Sequence, residues 1–164
     1  MTNLRFLILF FLLIGLISCD DSRVFDQYKA VSGSWEENEK ISFTLPELDS
    51  LQQYNLFINV RNNNDYRYSN LFLISEMNFP NGKIVTDTLE YEMAAPDGTW
   101  LGTGFTDLKE NKLWYKEKVN FAEKGEYKVI LRQAMRKNGE TLGIHSLEGI
   151  TDIGFRIEFA QNPK

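Results

Sequence analysis

Cysteine and histidine are nearly absent: the chain has Cys19 and His145 and no others of either type. A lone cysteine excludes an intramolecular disulfide framework and any CxxC metal site. Zinc sites draw on several His or Cys ligands, which these two residues do not supply. A serine triad would have to use His145, and no GxSxG-type elbow is present to hold its nucleophile. No glycine-rich loop opens a helix to cradle phosphate, and no EF-hand spacing occurs. Positive charge is also short. Eighteen Lys and Arg face 23 Asp and Glu, and no Lys/Arg cluster forms the basic footprint of a nucleic-acid binder. Carboxylates are plentiful, but no pair stands out in the manner of a glycosidase. The segments "NNND" and "PDG" carry oxygens that Ca²⁺ accepts, yet turn formation accounts for them. His145, in "GIHSL", reads as a loop residue. These absences point away from an enzyme, a metal or cofactor protein and a nucleic-acid binder. They make a small-molecule ligand unexpected.

What is present begins with the place of the cysteine. Arg5 is the one charge in residues 1–18, and residues 6–17, "FLILFFLLIGLI", form a twelve-residue apolar run. As a helix this run reaches roughly 18 Å at ~1.5 Å per residue, against a bilayer core of about 30 Å. That is the length of a signal-peptide h-region, too short for a comfortable span. "LISC", residues 16–19, is similar to the lipobox of bacterial lipoproteins, with an aliphatic residue, then a small one, then cysteine. The small Ser18 admits the signal peptidase to the bond before Cys19. The Cys19 thiol takes a diacylglyceryl group, and its freed amine takes a further acyl chain such as palmitate. Two or more chains anchor stably where one anchors marginally. The expected organisation is a cleaved lipoprotein signal peptide at 1–18, a lipidated Cys19 with a short polar tether at 19–23, and a single domain at 24–164. Asp20 and Asp21 read as tether or as sorting signal.

The mature chain alternates with period two, the mark of half-buried strands. Ile41, Phe43 and Leu45 share one face; so do Tyr54, Leu56, Ile58 and Val60, then Leu89, Tyr91 and Met93. Leu113, Tyr115, Val119 and Phe121 fall opposite Lys116 and Lys118. Tyr127, Val129 and Leu131 alternate with Lys128 and Arg132, and Ile153, Phe155, Ile157 and Phe159 with Arg156 and Glu158. "NLFLISEM" is apolar on both faces, which predicts a central strand, and a further strand is expected over 24–31. Turn chemistry separates these runs at 62–65, 80–82, 96–98, 123–125 and 137–139. Seven to nine short strands of this kind predict an all-β fold, an antiparallel β-sandwich, either immunoglobulin-like or jelly-roll-like. Gly125 two residues before Tyr127 is similar to a tyrosine corner. Alternation fails from 134 to 152, apart from a short strand near "TLGI"; "SLEG" reads as a single helical turn.

With catalysis set aside, recognition remains. "RNNNDYRYSN" gathers Arg61, Tyr66, Arg67 and Tyr68 around a strand connection, and "PDGTWLGTG" sets Trp100 in a glycine-rich segment. Tyr, Trp and Arg are enriched among interface hot spots, so these five are the partner-binding candidates. Aromatic platforms also serve carbohydrate-binding modules, and a surface or periplasmic glycan binder is the rival.

"YNLFINVRNNNDYRYSNLFL", "DTLEYEMAAPDGTWLGTG", "NKLWYKE", "QAMR" and "GITDIGFRIE", in this order behind a lipobox, resemble the gliding-motility lipoprotein GldH family of the Bacteroidetes. The resemblance covers nearly the whole mature chain. It implies a lipid-anchored cell-envelope protein, on the outer membrane facing the periplasm or at the cell surface. Its partners would be other envelope proteins of gliding and of type nine secretion. It implies no enzymatic activity and transfers only Cys19 as a functional position.

Overall fold

A computed structural model of the chain describes residues 21–161. The signal peptide, the Ser18–Cys19 cleavage site and the lipidated Cys19 expected from the sequence lie outside these residues.

Ten strands form among the described residues: β1 (Arg23–Ala30), β2 (Ser34–Glu36), β3 (Ile41–Thr44), β4 (Tyr54–Asn62), β5 (Asn70–Asn78), β6 (Ile84–Glu92), β7 (Lys109–Val119), β8 (Lys128–Gln133), β9 (Ser146–Glu148) and β10 (Ile150–Phe159). Two four-stranded sheets, β1-β10-β4-β7 and β3-β8-β5-β6, enclose the core, and β2 pairs with β9 beside them. All pairings are antiparallel. The sandwich expected from the alternation is present. Among the eight strands of the two main sheets, only β5 and β6 are consecutive within one sheet; every other step crosses to the opposite sheet. This order is a jelly roll, two interleaved Greek keys. It settles the choice left open with an immunoglobulin-like sandwich.

The predicted faces pack as the alternation implies. Leu56, Ile58 and Val60 of β4, Val129 and Leu131 of β8, and Ile153, Phe155 and Ile157 of β10 are fully buried. β5 is flanked by β8 and β6, as a both-sided apolar run predicts. Three local expectations fail. "SLEG" is no helical turn: Ser146–Glu148 pairs with Ser34–Glu36, placing Leu147 opposite Trp35, both fully buried. Near "TLGI" there is only a single bridge, Arg136↔Gly143. Lys116 does not face outward with Lys118. A register shift in the β4–β7 pair sets Lys116 opposite core-facing Leu56, and its Nζ lies 2.8 Å from Asp87.

The strand directions define two ends. The proximal end holds the start of β1 and the end of β10, where the Phe159 N–H donates to the Ser22 carbonyl at 2.8 Å. An aromatic cluster closes it: Phe121 meets Tyr127 at 4.9 Å and Tyr54 at 5.8 Å, and Phe79 meets Tyr127 at 5.3 Å. The tyrosine corner exists here, with the Glu123 N–H donating to Tyr127 Oη at 3.1 Å. Tyr54 repeats it, accepting from the Asp49 N–H at 3.0 Å. The distal end holds the long connections 63–69, 93–108 and 134–145 and the β2–β9 pair.

Candidate functional site

The five partner-binding candidates all lie toward the distal end, but the structure divides them. Tyr66 is a core residue, 2% exposed. Its hydroxyl donates to the Asn70 carbonyl at 2.7 Å, and burial pushes that hydroxyl's pKa well above the ordinary tyrosine range. Its ring lies 5.7 Å from Tyr68 and 6.1 Å from Trp100, which cover it. Tyr66 therefore holds the loop and cannot touch a partner, which corrects its place among the contact residues.

The backbone of this loop is equally fixed. The Asn63 side chain accepts from the Asp65 N–H at 2.9 Å, and the Asn63 N–H donates to the Gly149 carbonyl at 2.8 Å. Gly149 has φ +83°, and a Cβ there would stand 2.0 Å from the Tyr66 nitrogen. Only glycine permits both the turn and the close approach.

Arg61 is likewise engaged within the fold. Its Nε donates to Glu110 at 3.0 Å, and its guanidinium lies 4.0 Å from the centre of the Tyr28 ring. The Tyr28 hydroxyl donates to the same Glu110 at 2.8 Å. Burial, and then that carboxylate, hold the Tyr28 hydroxyl above its ordinary range, so it stays a donor. The ring passes over Gly154, where a Cβ would meet it at 2.9 Å. Side chains from β1, β4 and β7 thus meet across β10. Further along this outer face Arg156 joins Asp26 at 2.9 Å and Glu158 at 2.6 Å, and Lys112 reaches Glu158 at 2.6 Å. Arg61 belongs to an interlocked polar face, where its half-buried side chain is already engaged within the fold.

What the distal end does present is Arg67, Tyr68 and Trp100, joined by residues that sequence reasoning passed over. Arg67 is exposed, its guanidinium 3.9 Å from Glu148, while Tyr68 and Trp100 are half-buried over Tyr66. The 93–108 connection begins as a tight hairpin with an Ala94↔Trp100 bridge. There Asp97 caps the Thr99 N–H at 2.9 Å, and that bond holds its carboxyl below the usual range. Beyond it, Thr103 and Glu110 exchange backbone bonds at 2.9 and 2.8 Å, and Lys109 Nζ donates to the Gly104 carbonyl at 2.8 Å. Asn64 donates to Asp107 at 2.9 Å, tying this connection to the 63–69 loop. On this braced frame Phe105 is fully exposed, with Leu101 at 53% and Leu108 at 40%. In "WLGTGFTDL" Leu101, Phe105 and Leu108 lie among glycines and threonines with no strand period, so no pattern announces them. His145 is exposed at the same end, its Nδ1 2.9 Å from Glu37.

A ring standing free on a hydrogen-bonded loop can fill a partner's pocket without first ordering itself, which lowers the entropic cost of binding. Among the described residues no three His, Cys, Asp or Glu side chains gather as a metal site.

Comparison with known proteins adds the following. The family model described as GldH lipoprotein matches residues 23–157. A gliding motility lipoprotein GldH homolog of Christiangramia forsetii is 57% identical over 155 residues, covering 94% of this chain and 95% of that protein. The gliding motility lipoprotein GldH of Flavobacterium johnsoniae is 56% identical over 145 residues, covering 88% and 90%. Among solved structures, the infectious bursal disease virus VP2 subviral particle aligns at 12% identity and a TM-score of 0.33, over 87% of this chain and 32% of that one.

Proposed function

The chain belongs to the GldH lipoprotein family, and on that premise we propose that it is a non-catalytic assembly component of the bacterial gliding machinery. In this reading Cys19 is lipidated after cleavage behind Ser18, and the anchor holds the domain on the periplasmic face of the outer membrane. There it works with envelope proteins of gliding and type nine secretion. The relatives' names carry the gliding role. The geometry fits an anchor. Ser22 is already bonded to Phe159, and three residues of chain from Cys19 reach at most ~10 Å. The proximal end would then rest near the membrane, with the distal loops presented away from it.

The observation that carries partner binding is the exposed Phe105 on its braced loop beside Arg67, Tyr68 and Trp100. Aromatic and Arg anchors of this kind dominate binding energy, each costing about 2 kcal/mol or more on truncation. The test is co-purification of the full lipoprotein from cells, with Phe105→Ala/Arg67→Ala set against the parent chain. Loss of envelope-protein partners at unchanged membrane level, with gliding lost as well, is the expected result. Unchanged recovery and gliding would remove the distal loops from the account. A saccharide retained in place of protein partners would move the reading to glycan binding.

A further inference from the structure

We propose that the outer edge of β6 is a docking edge for an extended strand of a partner protein, one with basic and apolar side chains in alternation. The inference rests on the reading of this chain as a partner-binding protein and names a second surface for it.

A jelly roll has four sheet edges, here β1, β7, β3 and β6. Exposed edges invite pairing, and proteins blunt them with bulges, lysines or shortness. β7 has two register shifts, a left-handed Lys118 at φ 54°, and Lys112 and Lys116. β1 shifts register between Arg23 and Phe25 and carries Lys29. β3 has four residues. β6 has no bulge, no lysine and full length, and its one inward-facing charge, Asp87, is already paired with Lys116 at 2.8 Å. It runs nine residues, "IVTDTLEYE", in unbroken register with β5, without Pro, Lys or Arg.

The hydrogen-bond phase identifies which backbone groups are offered. The Met93 N–H donates to the Ser69 carbonyl at 2.7 Å, and the Phe79 N–H to the Lys83 carbonyl at 2.8 Å. Both bonds are in step with the pairs Leu71↔Tyr91, Leu73↔Leu89, Ser75↔Asp87 and Met77↔Val85. In an antiparallel ladder, bonded and non-bonded pairs alternate. The odd-numbered residues of β6 thus turn their backbone groups toward β5. Ile84, Thr86, Thr88, Glu90 and Glu92 turn theirs away from the sheet. The contacts that tie β6 to β7 use side chains: the Tyr91 hydroxyl on the Trp114 carbonyl at 2.6 Å, and Asp87 with Tyr115 and Lys116 at 2.8 Å each.

Burial agrees that this edge is uncovered. Inward-facing Leu71, Leu73, Ser75 and Met77 of β5 are at most 3% exposed, whereas Val85, Asp87, Leu89 and Tyr91 of β6 stay half-exposed. A strand added here would set one row of side chains beside Ile84, Thr86, Thr88, Glu90 and Glu92, and the other beside Val85, Leu89, Tyr91 and the Lys116-paired Asp87. The first row favours Lys or Arg, the second apolar groups. A second copy of β6 would bring its own Glu90 and Glu92 to the shared edge and no cation. Strand addition of this type draws affinity from main-chain bonds and specificity from alternate side chains.

The test places a benzophenone amino acid at Thr86, at Glu90 and, separately, at Phe105 in the full lipoprotein in cells, with adducts sequenced. The expected result is an adduct at Thr86 and Glu90 mapping to a partner segment with alternating Lys or Arg. Thr88→Pro removes an outward N–H and no β5 bond, and should cut adduct yield about tenfold. Thr88→Val keeps the N–H and should retain the adduct. Thr88→Lys, a conventional edge guard, replaces the proline variant if that one does not accumulate. Absence of adducts at Thr86 and Glu90 with an adduct still formed at Phe105 overturns the edge and leaves the partner-binding reading. Absence at all three overturns both. An adduct only with a second copy, or a yield unchanged in whichever of Thr88→Pro and Thr88→Lys accumulates, overturns the proposal.

Discussion

The two ends of this sandwich spend their aromatic residues differently. At the proximal end Tyr54, Phe121 and Tyr127 are at most 5% exposed and meet edge to face. Both tyrosine hydroxyls are bonded to backbone four or five residues upstream. At the distal end Tyr66 and Trp35 are buried to the same degree, but the Phe105 ring stands in solvent with Leu101, Leu108 and Leu142, whereas the proximal end exposes the aliphatic Leu51 and Ile84 and no large ring. The proximal cluster closes its end of the sandwich with buried rings; the distal end closes its core and also leaves one ring, Phe105, in solvent. Burial stabilises at about 25 cal/mol per Å², so exposed apolar rings contribute nothing to folding. Their cost is explicable where a partner covers them.

The sharpest way to break the contrast is to delete one ring from each end. Phe121→Ala removes a ring held by two tyrosines and should lower unfolding free energy by about 3–5 kcal/mol in urea titration. Phe105→Ala should stay within about 0.5 kcal/mol of the parent, as an exposed position does. Equal losses would mean that Phe105 packs within the fold and that the ends are alike. A smaller effect is expected for Gly149→Ala, which strains a left-handed residue and pushes the Tyr66 backbone. A loss on the order of 2–3 kcal/mol in thermal or urea unfolding is anticipated, with Trp100 fluorescence altered because Tyr66 is its support. A loss with Trp100 undisturbed would detach the loop from its glycine floor.

The smallest effect concerns the β2–β9 pair at the distal end. Ser146 and Ser34 donate to Glu36 at 2.7 Å each, and these two bonds hold its carboxyl below the ordinary glutamate range. A carboxyl whose folded pKa is depressed adds stability above its unfolded pKa and loses it as pH falls through the folded one. Glu36→Gln should therefore lower the urea midpoint slightly at neutral pH, and the difference should vanish in acid. A difference that persists below the glutamate range would place the effect in packing.

The strands were legible where period-two alternation runs for five residues or more, as in β4 and β10, because one face of each is core. β9 was misread because three residues with a single apolar side chain, Leu147, carry no period; its identity comes from Trp35, more than a hundred residues away. The partner candidates were legible as a region and not as residues. Nothing near Arg61 in sequence announces that Tyr28, Gly154 and Glu110 enclose it, since each arrives on a different strand. Tyr66, Tyr68 and Trp100 look alike in sequence, and only the stacking order decides which ring is underneath. Phe105 was passed over because an exposed apolar side chain in a loop has no pattern to read. The choice between immunoglobulin-like and jelly-roll order was likewise beyond alternation, which reports faces and not neighbours.

The meeting of the chain's first described strand with its last has a mechanical side. β1 runs from the proximal to the distal end, paired with β10 at seven positions from Arg23 to Ala30. A tug between an anchor at Cys19 and cargo held by the distal loops would run along β1. Its bonds to β10 would then be loaded side by side, in shear, and would have to fail together. Had the anchor entered from the distal end, the same tug would have peeled the strand away one pair at a time. For a protein held at one end and gripped at the other, this strand direction is the one that resists traction.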